Sequence, residues 1–293
     1  MIIGGSGQLG TELRSAFQGT SVFAPTRAQV DIESADALAS SILRFSPTLV
    51  INASAYHIVE QCERYPERAF AVNALSVDRA AALSALSGAA FATFSTDYVF
   101  DGQSARPYPE NAPTGPLNAY GASKLAGEHL TRRHGPRHFI VRTSALYGRS
   151  GSSVKGYTFV DRVLRQAVAK EPLRIVDDLI FSPSYAVDVA ASFRRLVQAE
   201  AFGTYHLTNS GEASWYELAV AAFEEESLSP DVEAIRYSSL PGFLARPAFT
   251  ALAHDGIKKA GLDEMPHWRD GLRRYLRERR AADSVTEAGK PKA

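Results

Sequence analysis

The sequence has a single cysteine, Cys62. No internal disulfide can form, which suits a reducing compartment. It has no excess of charge, with Lys+Arg and Asp+Glu both at 32. Without a basic field, neither nucleic acid nor an anionic membrane is expected as a partner. An anionic ligand would have to be held by a local pocket. No apolar run of about 18 residues is read in the sequence, so no membrane span is expected. The first residues lack a charged stretch leading into an apolar core, so no signal peptide is expected. Clustered metal ligands are missing as well. His134 and His138 stand four apart, but Gly135 and Pro136 lie between them and break the helix that a two-histidine site would need. The expectation is a cytoplasmic protein without a metal, a monomer or homodimer.

What is present is a chain of 293 residues, 45% of them hydrophobic, enough for a large α/β domain with a smaller lobe beside it. Apolar runs at Thr48–Ile51, Ala89–Phe94, His138–Arg142 and Thr204–Thr208 read as strands. Helical patterns at Pro66–Leu86, Tyr120–His134 and Ala186–Ala199 alternate with them. Continuous apolar strands between helices imply a parallel sheet covered on both faces. The expected fold is therefore α/β, a doubly wound parallel sheet of the Rossmann type with a smaller C-terminal α/β substrate lobe. The nucleotide domain spans 1–150 with a returning segment at 183–207, and the lobe takes 151–182 and 208–280. Within the lobe, Tyr157–Lys170 reads as a helix, Leu173–Val176 as a strand, and Ser214 with Glu217 as a capping box. Gly148–Gly156 reads as a loop rimming a site, Arg269–Arg280 as an amphipathic helix with a solvated basic face, and 281–293 as a disordered tail. Trp215 and Tyr216 read as core packing, with a nucleotide base as the alternative partner.

The chain opens with Gly4, Gly7 and Gly10 between a β-branched start and the helical Thr11–Phe17 stretch. A dinucleotide pyrophosphate needs such a tight turn, close backbone approach and a helix N-terminus facing its charge, which brings in Gln8 and Leu9. Only Met1, Ile2 and Ile3 precede Gly4, whereas a strand usually has about five or six residues. Either the strand is short or the start lies upstream of this Met. The second strand is expected at Ser21–Ala24. An acidic residue near its end would bind the 2′-hydroxyl of NAD, but Thr26 and Arg27 stand there. A hydroxyl and a guanidinium suit a 2′-phosphate, so NADPH is favoured and NADH remains possible. The alternative is that Arg27 is a solvated loop cation. Asp31, followed by Ile32, either reaches the adenine edge or caps the next helix.

Tyr120 and Lys124 are four apart, on one face of a helix. An ammonium near a phenol favours the phenolate, so Lys124 is expected to lower the Tyr120 pKa and let it exchange a proton with a carbonyl oxygen. The same spacing arises by chance where Tyr is core and Lys is solvated. Context favours chemistry: Ser95-Thr96-Asp97-Tyr98 follows a strand, placing a hydroxyl and a carboxylate where open α/β sheets bind ligands. Thr96 is expected to hydrogen-bond a substrate carbonyl. Asp97 either binds a sugar hydroxyl, acts beside the proton donor, or is a turn carboxylate. Glu60 and Glu63 read as solvated carboxylates.

The run Ser95-Thr-Asp-Tyr-Val-Phe-Asp-Gly102, with Pro116-Leu-Asn-Ala-Tyr120-Gly and Lys124-Leu-Ala-Gly-Glu128, resembles the dTDP-4-dehydrorhamnose reductase family of extended short-chain dehydrogenases. The resemblance continues through Ile51-Asn-Ala-Ser-Ala-Tyr56, Ala71-Val-Asn-Ala74, Val141-Arg-Thr-Ser144, Ser182-Pro-Ser-Tyr-Ala186 and Arg246-Pro247, and covers Gly4 to about Leu276. It implies reduction of the 4-keto group of a nucleotide-linked 6-deoxyhexose, dTDP-4-dehydro-L-rhamnose first, with Thr96, Tyr120 and Lys124 as the catalytic triad and Asp97 and Tyr98 in the sugar pocket. It also implies Asn52, Ala53 and Ala55 along the cofactor, Asn73 bracing the site, and Arg246 facing the nucleotide diphosphate. Two positions depart from the family pattern. Ala145 stands where a tryptophan is common, and His57 where a threonine is. Both reshape the pocket and open the reading to a variant deoxysugar. A non-catalytic nucleotide-binding regulatory subunit is the alternative that the intact triad argues against.

Overall fold

The computed structural model describes residues 1–151, 156–242 and 244–288, and side chains as far as 282. The central sheet is parallel throughout, in the order β1-β2-β3-β4-β9: β1 Ile2–Ile3, β2 Leu49–Asn52, β3 Ala90–Thr96, β4 His138–Thr143 and β9 Gly203–His206. Every residue of β3 is buried, as a strand covered on both faces must be. The first strand is short, its two residues pairing Ile2 with Ile51 and Ile3 with Asn52.

The expected strand at Ser21–Ala24 does not form. Its one bond to β1 runs from Ile2 N to Phe23 O at 2.8 Å. Pro25, which has no N–H, then leads into a turn closed by Gln29 N and Val30 N on Thr26 O. Successive peptide groups of a strand face opposite edges, so this segment lies on the edge of β1 away from β2. The chain therefore leaves β1 to one side and returns on the other, and the winding reverses there. That reversal makes a doubly wound sheet and opens a crevice at the strand ends.

One face of the sheet is covered by α1 Gln8–Ala16 and α8 Ala186–Gln198, which close a core of Leu9, Leu13, Ile51, Phe139 and Phe193. The other carries α2 Ala35–Phe45 and the long helical run from Pro66 to Leu86, around Leu38, Ile42, Val50, Val77 and Phe91. That long run is not one regular helix. It comprises α4 Pro66–Phe70, a π-helical turn at Ala71–Leu75 and α5 Ser76–Leu86, preceded by α3 Val59–Arg64. By length and composition it is apolar enough to cross a bilayer, against the expectation of no such run. Here it packs on α6 Ala119–Arg132 and buries Ala69, Asn73, Ala74, Val77, Ala80 and Ala81.

The rest of the chain builds a second core of Tyr147, Leu164, Phe181, Tyr185, Leu218, Trp268, Tyr275 and Leu276. Three two-stranded sheets frame it: β5 Leu146–Tyr147 with β8 Ser184–Tyr185, β6 Leu173–Val176 with β11 Val232–Ile235, and β7 Ile180–Phe181 with β10 Ala213–Ser214. Its helices are α7 Phe159–Val168, α9 Trp215–Glu225 and α11 Trp268–Ala288, while α10 Asp255–Lys259 packs on β9 and buries Ile257 in the core of the central sheet. The capping box of Ser214 and Glu217 forms, and Trp215 packs on Phe159 and Phe181.

Two expectations change here. The basic face of α11 is engaged rather than merely solvated. Arg269, Arg273 and Arg280 pair with Glu224, Glu225 and Glu226 of the α9 end, and Arg274 holds both carboxylate oxygens of Asp188. The helix also runs on to Ala288, through residues 281–288 of the expected tail. Residues 289–293, and 152–155 of the expected rim loop, lie outside the described residues.

Candidate active site

The glycine loop sits where the winding reverses. Gly4 has φ +76°, and a Cβ there would stand 2.8 Å from Ser54 N. A Cβ on Gly10 would stand 2.1 Å from Gly4 O, so the loop and α1 meet only because neither residue has a side chain. Gly7 is the N-cap of α1 and offers no side-chain cap, and the first turn carries no acidic residue. The free N–H groups of that turn face outward with the positive end of the helix dipole. This cradle fits a pyrophosphate. Gln8 Nε2 reaches Leu146 O at 3.3 Å and ties the loop to β5. Leu9 and Ile32 are packed into the two cores.

Arg27 is exposed and not free. Its Nε donates to Asp31 Oδ2 at 3.2 Å, with Glu33 at 3.7 Å. The hydrogen bonds from Glu33 N and Arg27 oppose burial and hold the Asp31 carboxyl below its usual value. Thr26 bonds Gln29 Oε1 through both its N–H and its hydroxyl. Asn52, at the end of β2, accepts from Ser54 N and Ser54 Oγ, while its Nδ2 is buried without a partner. Ala53 and Ala55 follow it, half-buried. An orphaned donor at the crevice is what a cofactor polar group would satisfy.

Tyr120 and Lys124 sit on α6. Asn118 caps it, accepting from Gly121 N at 2.9 Å. Gly121 lets α6 approach the turn after β3, since a Cβ there would lie 2.2 Å from Tyr98 O. Gly127 does the same against the π-helical turn, 2.3 Å from Asn73 O. Asn73 in turn clamps Tyr56: its Oδ1 accepts from Tyr56 N at 2.8 Å, and its Nδ2 donates to Tyr56 O and Ser123 Oγ. Glu128, buried, accepts from Ser95 Oγ and from Arg142 Nε and Nη2, fastening the helix onto β3 and β4.

Tyr120 and Lys124 therefore face the carboxyl end of β3 together with Thr96. Lys124 Nζ donates to Phe94 O at 2.6 Å. Burial pulls its pKa down to about 8, against the pull of Glu128. Tyr120 does not have the lowered pKa expected from a lysine neighbour. Burial pushes its phenol well up, opposed by a hydrogen bond with Thr96. Desolvation penalises both charged forms here and outweighs the neighbours that favour them. Asp97, like Thr96 and Lys124, is buried. It accepts hydrogen bonds from Thr96, Ser144 and Thr250, while burial raises its carboxyl.

Tyr98 stands edge-on to Tyr120, ring centres 6.0 Å apart. Burial pushes its phenol up to about 12. Arg246 Nη1 donates to Tyr98 Oη at 3.3 Å, its Nη2 pairs with Glu60, and its Nε is buried without a partner. Gly102 makes room for this segment, since a Cβ there would lie 2.5 Å from Pro247. Glu60 is thus paired with Arg246, and Glu63 accepts from Ala119 N at 2.9 Å, so neither is the simple solvated carboxylate expected. His57 is half-buried between the clamped Tyr56 and the start of α3. Ala145 has φ 41° and packs against the lobe core. His134 and His138 are engaged by Asp78 and Gly135 O. Thr250 was not foreseen, because a lone threonine in a loop carries no spacing signal. Ser144 and Glu128 lay inside motifs but without an assigned role.

A family model described as "RmlD substrate binding domain" matches residues 1–281. Among curated relatives, the spore coat polysaccharide biosynthesis protein SpsK of Bacillus subtilis is 37% identical, over 96% of this chain and 98% of its own. A dTDP-4-keto-6-deoxy-D-glucose reductase of Streptomyces niveus is 35% identical, over 93% and 94%. Among solved structures, a dTDP-4-dehydrorhamnose reductase of Bacillus anthracis in complex with NADP superposes with a TM-score of 0.89 at 32% identity, covering 94% of this chain and 96% of that one. The chain belongs to the dTDP-4-dehydrorhamnose reductase family, the NAD(P)H-dependent sugar-nucleotide ketoreductases that its motifs resemble.

Proposed function

We propose that this chain reduces the 4-keto group of a nucleotide-linked 6-deoxyhexose with NADPH, dTDP-4-dehydro-L-rhamnose to dTDP-L-rhamnose being the first reaction to test. The observation that carries the reading is Tyr120, held with Thr96 and Lys124 at the end of β3 and facing the same crevice as the glycine cradle. The bound cofactor supplies a hydride to the carbonyl carbon. Tyr120 keeps its proton until the carbonyl oxygen gains charge and then gives it up. Lys124 places positive charge on the same helix face, which favours the phenolate left behind. Burial of both groups excludes water that would compete for the proton. Arg246, fork-shaped and partly buried, suits a diphosphate. Ala145 and His57 leave the sugar itself open, and a related 4-keto-deoxysugar nucleotide is the second substrate to try.

The test is NADPH consumption with each sugar nucleotide, by the parent and by Tyr120→Phe. Turnover should fall at least about 100-fold in the variant while NADPH binding persists. A parent that binds NADPH but turns over no 4-keto sugar would overturn the reading.

A further inference from the structure

The turn after Pro25 stands where a Rossmann sheet places its contact with the adenosine ribose. Thr26 has no donor left for a ligand there, since its N–H and its hydroxyl both go to Gln29 Oε1, at 2.9 Å and 3.1 Å. Arg27 is the remaining donor. Its Nε is taken by Asp31 Oδ2 at 3.2 Å. Among the described residues its Nη1 and Nη2 make no hydrogen bond. A guanidinium offers five N–H groups, so this outer edge is a fork open to a phosphate. Glu33 is the rival for it. Glu33 Oε2 stands 3.7 Å from Arg27 Nη2, close enough to attract and too far for a hydrogen bond. Arg68, on α4 and 35 positions away, holds Glu33 back. Its Nη1 donates to Glu33 Oε1 and its Nη2 to Glu33 Oε2. Arg79 Nη1 fixes the same residue through Glu33 O at 3.0 Å. Both carboxylate oxygens are thus engaged from the side away from Arg27.

We infer that Arg68 is a positioning residue for cofactor choice: by holding Glu33 with both terminal nitrogens, it keeps that carboxylate off Arg27 and leaves Arg27 to bind the 2′-phosphate of NADPH. Without Arg68, Glu33 closes the short remaining gap and occupies the Nη edge, with Asp31 already on the Nε edge. A 2′-phosphate then has to displace Glu33 and is also repelled by its charge. NADH carries a hydroxyl at that position and meets neither obstacle. The preference is set by a residue that need not touch the cofactor. The inference rests on the NADPH part of the proposed function and not on the identity of the sugar.

The deciding measurement is the ratio of NADPH to NADH affinity, titrated on the full chain by the fluorescence of the reduced nicotinamide. Arg27→Ala should lower the ratio at least about tenfold, the scale of a lost charge-assisted hydrogen bond. Arg68→Ala should lower it about two- to fivefold, the scale of an exposed ion pair. Its NADH affinity should stay nearly unchanged, which also reports an intact fold. Adding Glu33→Gln to Arg68→Ala should restore the parent ratio, because the amide has no charge with which to capture Arg27. In the Arg27→Ala background, Arg68→Ala should have no further effect. A ratio untouched by Arg27→Ala or by Arg68→Ala overturns the inference, as does a failure of Glu33→Gln to rescue. An Arg68→Ala effect that persists without Arg27 also overturns it, since Arg68 would then act on the phosphate itself. A parent that shows the whole pattern but reduces no 4-keto sugar would remove the reductase reading and leave the cofactor inference standing.

Discussion

Lys124 is costly to the fold in the state that chemistry uses. Its ammonium is buried and its pKa falls from 10.5 to about 8. A base with a lowered pKa in the folded state binds fewer protons there than in the unfolded chain. Stability of the cofactor-free protein should therefore rise with pH between about 8 and 10.5, and the penalty is fully present below pH 8. The shift corresponds to about 3 kcal/mol. Lys124→Met, which keeps the length and removes the charge, should stabilise the protein at pH 7 by about 1–3 kcal/mol while abolishing turnover. Urea unfolding of both proteins at pH 7 and pH 10 checks it, and the gap between them should shrink at the higher pH. A constant gap would mean that Lys124 is not the titrating group. The pairing of Tyr120 with Lys124 was legible from spacing alone. The direction of the Tyr120 shift was not, because it depends on how completely β3, the turn after it and α3 close over the ring.

Elements meet around this site through missing side chains and one irregular turn. The apolar spacing of Pro66–Leu86 announced a helix, yet nothing in that spacing marks a π-helical turn at Ala71–Leu75. The turn is set by tertiary demands: Asn73 must reach Tyr56 on one side and Ser123 on the other. π-turns often occur at functional sites for this reason. The strand expected at Ser21–Ala24 failed for a related cause, since Pro25 and the following turn offer little to pair with β1. Gly127 gives a direct test of the contact. A Cβ there would lie 2.3 Å from Asn73 O, and the atom it meets is backbone that cannot swing away. Gly127→Ala should destabilise the protein by about 1–3 kcal/mol despite the better helix propensity of alanine. It should also weaken NADPH binding, because the displaced π-turn carries the clamp on the loop after β2. Thermal unfolding with and without NADPH measures both effects. A stabilised variant would show that α6 and the π-turn are not in contact in solution.

At the scale of the whole molecule, two cores flank one crevice, and short polar ties cross between them. Arg274 holds Asp188, Arg149 pairs with Glu12, Asn118 Nδ2 donates to Ala245 O, and Arg246 pairs with Glu60. The doubly wound architecture and the second lobe were readable from strand and helix order. The ties were not, since each joins residues more than 80 positions apart and reads in sequence as a surface charge or a loop amide. The Arg246–Glu60 tie has a consequence for binding. Glu60 is largely exposed, and such pairs contribute only about 0–1 kcal/mol to stability. A sugar-nucleotide diphosphate approaching Arg246 would have to displace the Glu60 carboxylate and would also be repelled by it. Glu60→Gln should therefore lower KM for the sugar nucleotide by about two- to fivefold, an electrostatic effect of under about 1 kcal/mol, with kcat and the melting temperature nearly unchanged. Arg246→Ala should raise KM at least about tenfold, the scale of a lost charge-assisted hydrogen bond, and leave NADPH affinity intact. Because exposed charges are screened by salt, the advantage of Glu60→Gln over the parent should narrow between 50 mM and 500 mM ionic strength, taken as roughly a threefold change in Debye length. A KM that rises in Glu60→Gln would show the carboxylate to be aiming Arg246 at the substrate rather than competing with it.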